Sequence, residues 1–149
     1  MLYVGTTEPI PRKEWVKEAP GICVRNLIEY DTEVKKHFGS PEVQYVGSTS
    51  GCGCDFPHVM QQNGGWPIFD DPEEDPEYKA TIHHNRQELV KLLRMTSGET
   101  VEIYGVWAGD FAKEPIIHEE ISLDIMIRSD FYFKERGYYR VKVSSNAPQ

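Results

Sequence analysis

Ile117-His118-Glu119-Glu120-Ile121-Ser122-Leu123-Asp124-Ile125-Met126-Ile127 is the stretch that decides the fold class. Its odd positions Ile117, Ile121, Leu123, Ile125 and Ile127 are apolar, and His118, Glu120, Ser122, Asp124 and Arg128 alternate with them. In an extended chain successive side chains point to opposite faces, so this pattern gives one apolar and one wet surface. A helix would scatter the same isoleucines around its circumference. The spacing therefore predicts a half-buried strand over 117–127.

Outward from there, the chain reads as grouped strands. Phe131 to Lys134 and Tyr138 to Val143 flank Glu135-Arg136-Gly137, a three-residue hairpin loop with Gly in the left-handed position, and the last three strands are expected to form an antiparallel meander. Upstream, Thr100 to Trp107 puts Val101, Ile103, Gly105 and Trp107 on one face and Glu102 and Tyr104 on the other. Val43 to Ser48, Ile22 to Ile28 and Leu2 to Thr6 are earlier strands. Two helices interrupt them. Asp31 as N-cap, Val34, His37 and Phe38 as an apolar side, and Gly39 with Pro41 as the stop give a short helix of about two turns. Asn85 as N-cap with Glu88 reaching back, then Leu89, Leu92 and Leu93, and Gly98 beyond, give a second helix from Arg86 to Thr96. The expectation is an α+β fold: a largely antiparallel sheet with a C-terminal meander and two helices packed on one face. Its central strands are Val43–Ser48, Thr100–Trp107 and Ile117–Ile127, and Leu89, Leu92, Leu93, Ile103, Leu123 and Ile125 are buried.

The chain has 149 residues, a net charge of -8, 39% hydrophobic residues and three cysteines. That length supports a core without disulfides, and residues 1–143 read as one domain with a frayed polar tail at 144–149. Asp70, Asp71, Glu73, Glu74, Asp75 and Glu77, with Pro72 and Pro76 among them, predict a solvated loop over 69–78. The block lacks the ligand order and central glycine of a calcium loop. An acidic chain has no basic stripe for phosphates, which argues against a nucleic-acid partner. Apolar stretches stop short of the roughly 18 residues of a membrane helix and no signal sequence opens the chain, so no membrane association is expected and a cytoplasmic location is.

The chemistry concentrates in Tyr45-Val46-Gly47-Ser48-Thr49-Ser50-Gly51-Cys52-Gly53-Cys54-Asp55-Phe56-Pro57-His58. A strand runs straight into a loop in which Gly47, Gly51 and Gly53 free the backbone and, with Ser48, offer N–H and hydroxyl groups to a ligand. The run has no terminal Lys-Ser/Thr, so it is not the common phosphate loop. Cys52 and Cys54, one glycine apart, can close a strained and easily reduced disulfide, which suits a redox pair. Cys52, Cys54, His58 and the distant Cys23 also supply the ligand types of a Cys3His zinc site, although paired zinc cysteines are normally spaced wider. The plain alternative is two small apolar side chains at a strand end. Zinc is the one cofactor the sequence brings forward.

The other histidines carry less. His83 and His84 lead into the second helix, His37 fits a boundary position, and His118 falls on the wet side of its strand. Trp15, Trp66, Trp107 and the Tyr138-Tyr139 pair suit a core or an interface. An acidic domain with such aromatics can equally be a non-enzymatic interaction or homodimerisation module.

The Tyr45–Cys54 run, the opening Leu2-Tyr3-Val4-Gly5-Thr6 and the late Asp130-Phe131 and Tyr139-Arg140-Val141 segments resemble small bacterial proteins carrying a Tyr-Val-Gly-Ser-x-x-Gly-Cys-Gly-Cys run. The resemblance covers most of the chain. It implies a bacterial origin and a stand-alone domain, and it brings no activity with it.

Overall fold

The computed structural model describes residues 1–51, 56, 58, 59 and 76–143. Its strands are β1 (Leu2–Thr6), β2 (Cys23–Asn26), β3 (Glu42–Gly47), β4 (His58–Val59), β5 (Thr100–Gly105), β6 (Ile117–Ser122), β7 (Phe133–Lys134) and β8 (Gly137–Lys142). Six of them form one sheet in the order β2-β3-β1-β5-β8-β6, while β4 and β7 pair separately. Pairing in the large sheet is antiparallel except between β6 and β8. With helices α1 (Pro76–Arg94) and α2 (Leu123–Met126) and a 3-10 helix over Thr32–His37, this is an α+β fold with a mostly antiparallel sheet. The outer edge of β2 is met by Lys13, whose N–H and C=O bridge Val24.

Both faces of the central strands are apolar, and this sets where the helices go. Leu2, Val4, Val46, Ile103 and Val141 point to one side, where Leu89 and Leu93 of α1 cover them. Each fully buried leucine contributes roughly 1.5–3 kcal/mol. Tyr3, Tyr45 and Tyr104 point to the other side and pack with Val34 of the 3-10 helix and with Phe111. The two expected helices therefore lie on opposite faces, because a sheet apolar on both sides needs cover on both. Asp31 stands at the 3-10 helix start but does not cap it with its side chain. It is buried beneath that face instead, accepting from Tyr3 Oη at 3.0 Å, Arg25 Nη2 at 2.8 Å and Ile28 N at 2.9 Å.

The C-terminal half departs from the expected meander. The 117–127 strand stops at Ser122, and Leu123 and Met126, three apart, bury one side of α2 and leave Ile125 36% exposed. Alternation in sequence continued past the point where an i, i+3 pair took over. β6 then lies parallel to β8, Ile117 opposite Gly137, and β7 leaves to pair with β4. A parallel neighbour requires a crossover of about a dozen residues or more, which 123–136 provides. At the 135–137 turn the left-handed residue is Arg136, φ 57°, and not Gly137. Gly137 is needed for closeness: a Cβ there would stand 2.7 Å from the Lys134 carbonyl and 2.8 Å from the Tyr139 hydroxyl.

The second helix begins well before Arg86, with Pro76 in its first turn, where the missing N–H costs nothing. The end of the expected 69–78 loop is thus helical from Pro76, and its earlier residues lie outside the described ones. His83 and His84 are within α1, and Asn85 is a buried interior residue rather than a cap. Leu92 is only partly buried, and Trp107, beyond the end of β5, is half exposed.

Candidate functional site

β3 ends at Gly47, opposite Cys23 of β2. The Cys23 sulfur lies over the glycine: a Cβ at 47 would be 2.4 Å from Sγ. Cys23 packs with the tyrosine-face cluster and carries a free thiol. From Gly47 the chain continues as a short arm, residues 48–51, fastened by other elements. Ser48 is fully buried, Gly51 N donates to Ser48 O at 3.0 Å, and the Ser48 and Ser50 hydroxyls are 2.9 Å apart. Gly51 turns in the left-handed region at φ 86°, with the Trp15 ring 3.0 Å from where a Cβ would be. Trp15 Nε1 donates to Thr49 O at 2.8 Å.

The strongest fastening comes from α1. Asn85 Oδ1 accepts both Thr49 N at 3.0 Å and Thr49 Oγ1 at 2.6 Å. The backbone N–H of Thr49 fixes which end of the amide faces the arm, since a flipped amide would set donor against donor. Asn85 Nδ2 is thereby turned away, and it is buried with no hydrogen-bond partner among the described residues. A buried unmet donor costs about 1–3 kcal/mol. Beside it Arg86, 4% exposed, donates from Nη1 to Phe131 O, while its buried Nε has no hydrogen-bond partner among the described residues. Burial lowers the pKa of Arg86 from its ordinary value, against the opposing pull of Tyr132 and Asp130.

Of the residues singled out in the sequence, Gly47, Ser48 and Gly51 form this arm, and Cys23 lies over its root on the tyrosine face. Cys52, Gly53 and Cys54 lie outside the described residues. The backbone of His58 runs in β4 opposite Phe133. Among the described residues no three His, Cys, Asp or Glu side chains are grouped to hold a metal ion. The sequence pattern of the loop does not bring forward Asn85 and Arg86 as site residues. Their signal is periodicity: Ile82, Asn85, Arg86, Leu89 and Leu93 share the buried side of α1, so two polar residues occupy inward-facing positions.

Two other regions are explained by structure alone. The Tyr138-Tyr139 pair is no exposed patch: Tyr139 is fully buried, accepting from Lys134 N at 2.8 Å, and the half-buried Tyr138 donates to Glu102. Trp66 lies outside the described residues. Burial opposes the charge of Glu102, yet donation from Ser40, Tyr138 and Gly39 outweighs it and holds this carboxyl below its usual pKa. His37 is a boundary histidine, its Nε2 2.8 Å from Phe111 O and so the protonated nitrogen. A cleft of about 770 Å³ lies between Glu8–Lys13 and the second half of α1, floored by Ile10, Ile22, Val24 and Leu92. No helix among the described residues is long and apolar enough to cross a membrane. No family model, no curated protein and no solved structure matches this chain.

Proposed function

We propose that the segment from Gly47 to His58 is a redox-responsive site in which Cys52 and Cys54 act as a pair. The observation that carries the reading is the double grip of Asn85 on Thr49, three residues before Cys52. An arm tied to a buried helix residue and covered by Trp15 gives the thiol-bearing segment a fixed root, and functional backbone is commonly placed on loops held this way. One thiolate attacks a sulfur of a partner disulfide, breaking that bond; the departing partner sulfur takes a proton and a mixed disulfide forms. The second cysteine then attacks its neighbour's sulfur and releases the other partner thiol. Two electrons and two protons pass to the partner, and Cys52 and Cys54 end joined. The small ring so closed is strained, so a partner dithiol readily returns it to the reduced form. A reducing bacterial cytoplasm belongs to the same proposal.

Thiol titration before and after mild oxidation tests it, with elemental analysis of protein purified without chelator. The expected result is loss of two of the three titratable thiols, with the loss abolished in Cys52→Ser/Cys54→Ser protein. Near-stoichiometric zinc would replace this reading with the metal one. Three thiols that stay reduced, with no metal and no effect of the double substitution on partner binding, would leave the loop a structural connection.

A further inference from the structure

Arg86 and Asn85 follow one another on α1, are 4% and 0% exposed, and each retains a buried N–H without an acceptor among the described residues. The guanidinium forms no ion pair among the described residues. Asp130, whose charge it feels, is engaged by Arg128 at 2.8 Å. The rings of Phe131 and Tyr132 lie 5.9 and 5.6 Å from Arg86 Cζ, which tempers the charge without supplying an in-plane acceptor for Nε. Buried charges are normally paired, and a fold that needed only to fill this space would do as well with an apolar chain.

The unmet groups are all donors and the charge is positive, so the complement is an acceptor-only, negative group. In a guanidinium, Nε–H and the adjacent Nη–H run parallel along one edge, a fork that two oxygens of a carboxylate or phosphate match. Here Nη1 is already turned to Phe131 O, which leaves the Nε edge for a ligand. We infer that Arg86 anchors an internal oxyanion site, with Asn85 Nδ2 as an accessory donor on the same turn of α1, that takes the carboxylate or phosphate group of a small molecule. The site goes beyond the thiol reading and stands without it, because none of its residues is a cysteine. The arm is involved only as the partner that turns Asn85 Nδ2 away from Thr49.

The test is titration of the intact protein with sodium phosphate and, separately, sodium acetate, at ionic strength matched with sodium chloride. Thermal unfolding and the Arg86 Nε–H resonance are followed together. A saturable rise in Tm with a moving resonance is expected, and the anion that produces it distinguishes phosphate from carboxylate. Arg86→Met, which puts an apolar chain beside the two rings, should abolish the rise; Arg86→Lys, which keeps charge but loses the fork, should weaken binding at least tenfold. Should Arg86→Met fail to fold, the wild-type resonance decides alone. A resonance unmoved by both anions overturns the proposal, as does an equal Tm rise in chloride or in Arg86→Met. Cys52→Ser/Cys54→Ser protein should bind as the wild type does, so this proposal and the thiol reading fail separately.

Discussion

On the tyrosine face of the sheet Asp31 collects donors from Tyr3, Arg25 and Ile28, and Glu102 collects them from Gly39, Ser40 and Tyr138. On the α1 face Asn85 and Arg86 are buried as Asp31 is, yet each keeps an N–H that finds no hydrogen-bond partner among the described residues. Polarity inside a protein is tolerable when matched, and the tyrosine-face carboxylates follow that rule to the point of fixing how strands and loops dock. The contrast separates two uses of buried polar groups. The matched carboxylates hold the fold together, while the unmatched pair on α1 is a standing cost that the proposed oxyanion would relieve.

The sharpest way to break this contrast is Asp31→Ala. It strips the Tyr3 hydroxyl, the Arg25 guanidinium and the Ile28 N–H of a shared acceptor at a fully buried position, and should cost on the order of 3 kcal/mol in urea unfolding. A loss below about 1 kcal/mol would mean that the tyrosine face is no better matched than the α1 face. Gly137→Ala should cost about 2 kcal/mol by the same measurement, since the added methyl meets the Lys134 carbonyl, which is backbone, and the Tyr139 ring. An effect within a few tenths would show that the β7–β8 turn has room to yield.

The smallest effect is a pH dependence. The pKa of Glu102 is lowered in the fold, so its stabilising contribution is fully present above the unfolded carboxyl pKa and is lost as pH falls through the folded value. Thermal unfolding from neutral pH into the acid range should therefore show a steeper Tm decline for wild type than for Glu102→Gln. Parallel declines would remove Glu102 from the matched set.

Much of the architecture could be read from local pattern. Val101, Ile103 and Tyr104 announced β5, and Leu89 and Leu93 announced the buried side of α1. What escaped depended on non-local choices. Nothing between Ile117 and Val143 states that β6 joins β8 in parallel, because that follows from the crossover through α2 and from β4 claiming β7. The face chosen by the 3-10 helix followed from Tyr3, Tyr45 and Tyr104 being apolar enough to require cover, which alternation alone reads as ambiguous. At the site, the glycine-rich run drew attention to the arm. Asn85 reads as a cap because Asn before an apolar run is the usual start of a helix, whereas this helix begins at Pro76.

Trp15 gives the arm an optical consequence. Its indole N–H is tied to Thr49 O and its ring lies against Gly51, while the side of the residue that remains 39% exposed meets water. The emission of an indole responds to its polar surroundings, and here these are water on one side and the backbone of residues 49–51 on the other. Any event that lifts or seats those residues, whether on the sulfur side or the α1 side, would be written into the fluorescence of a native residue, with no added label.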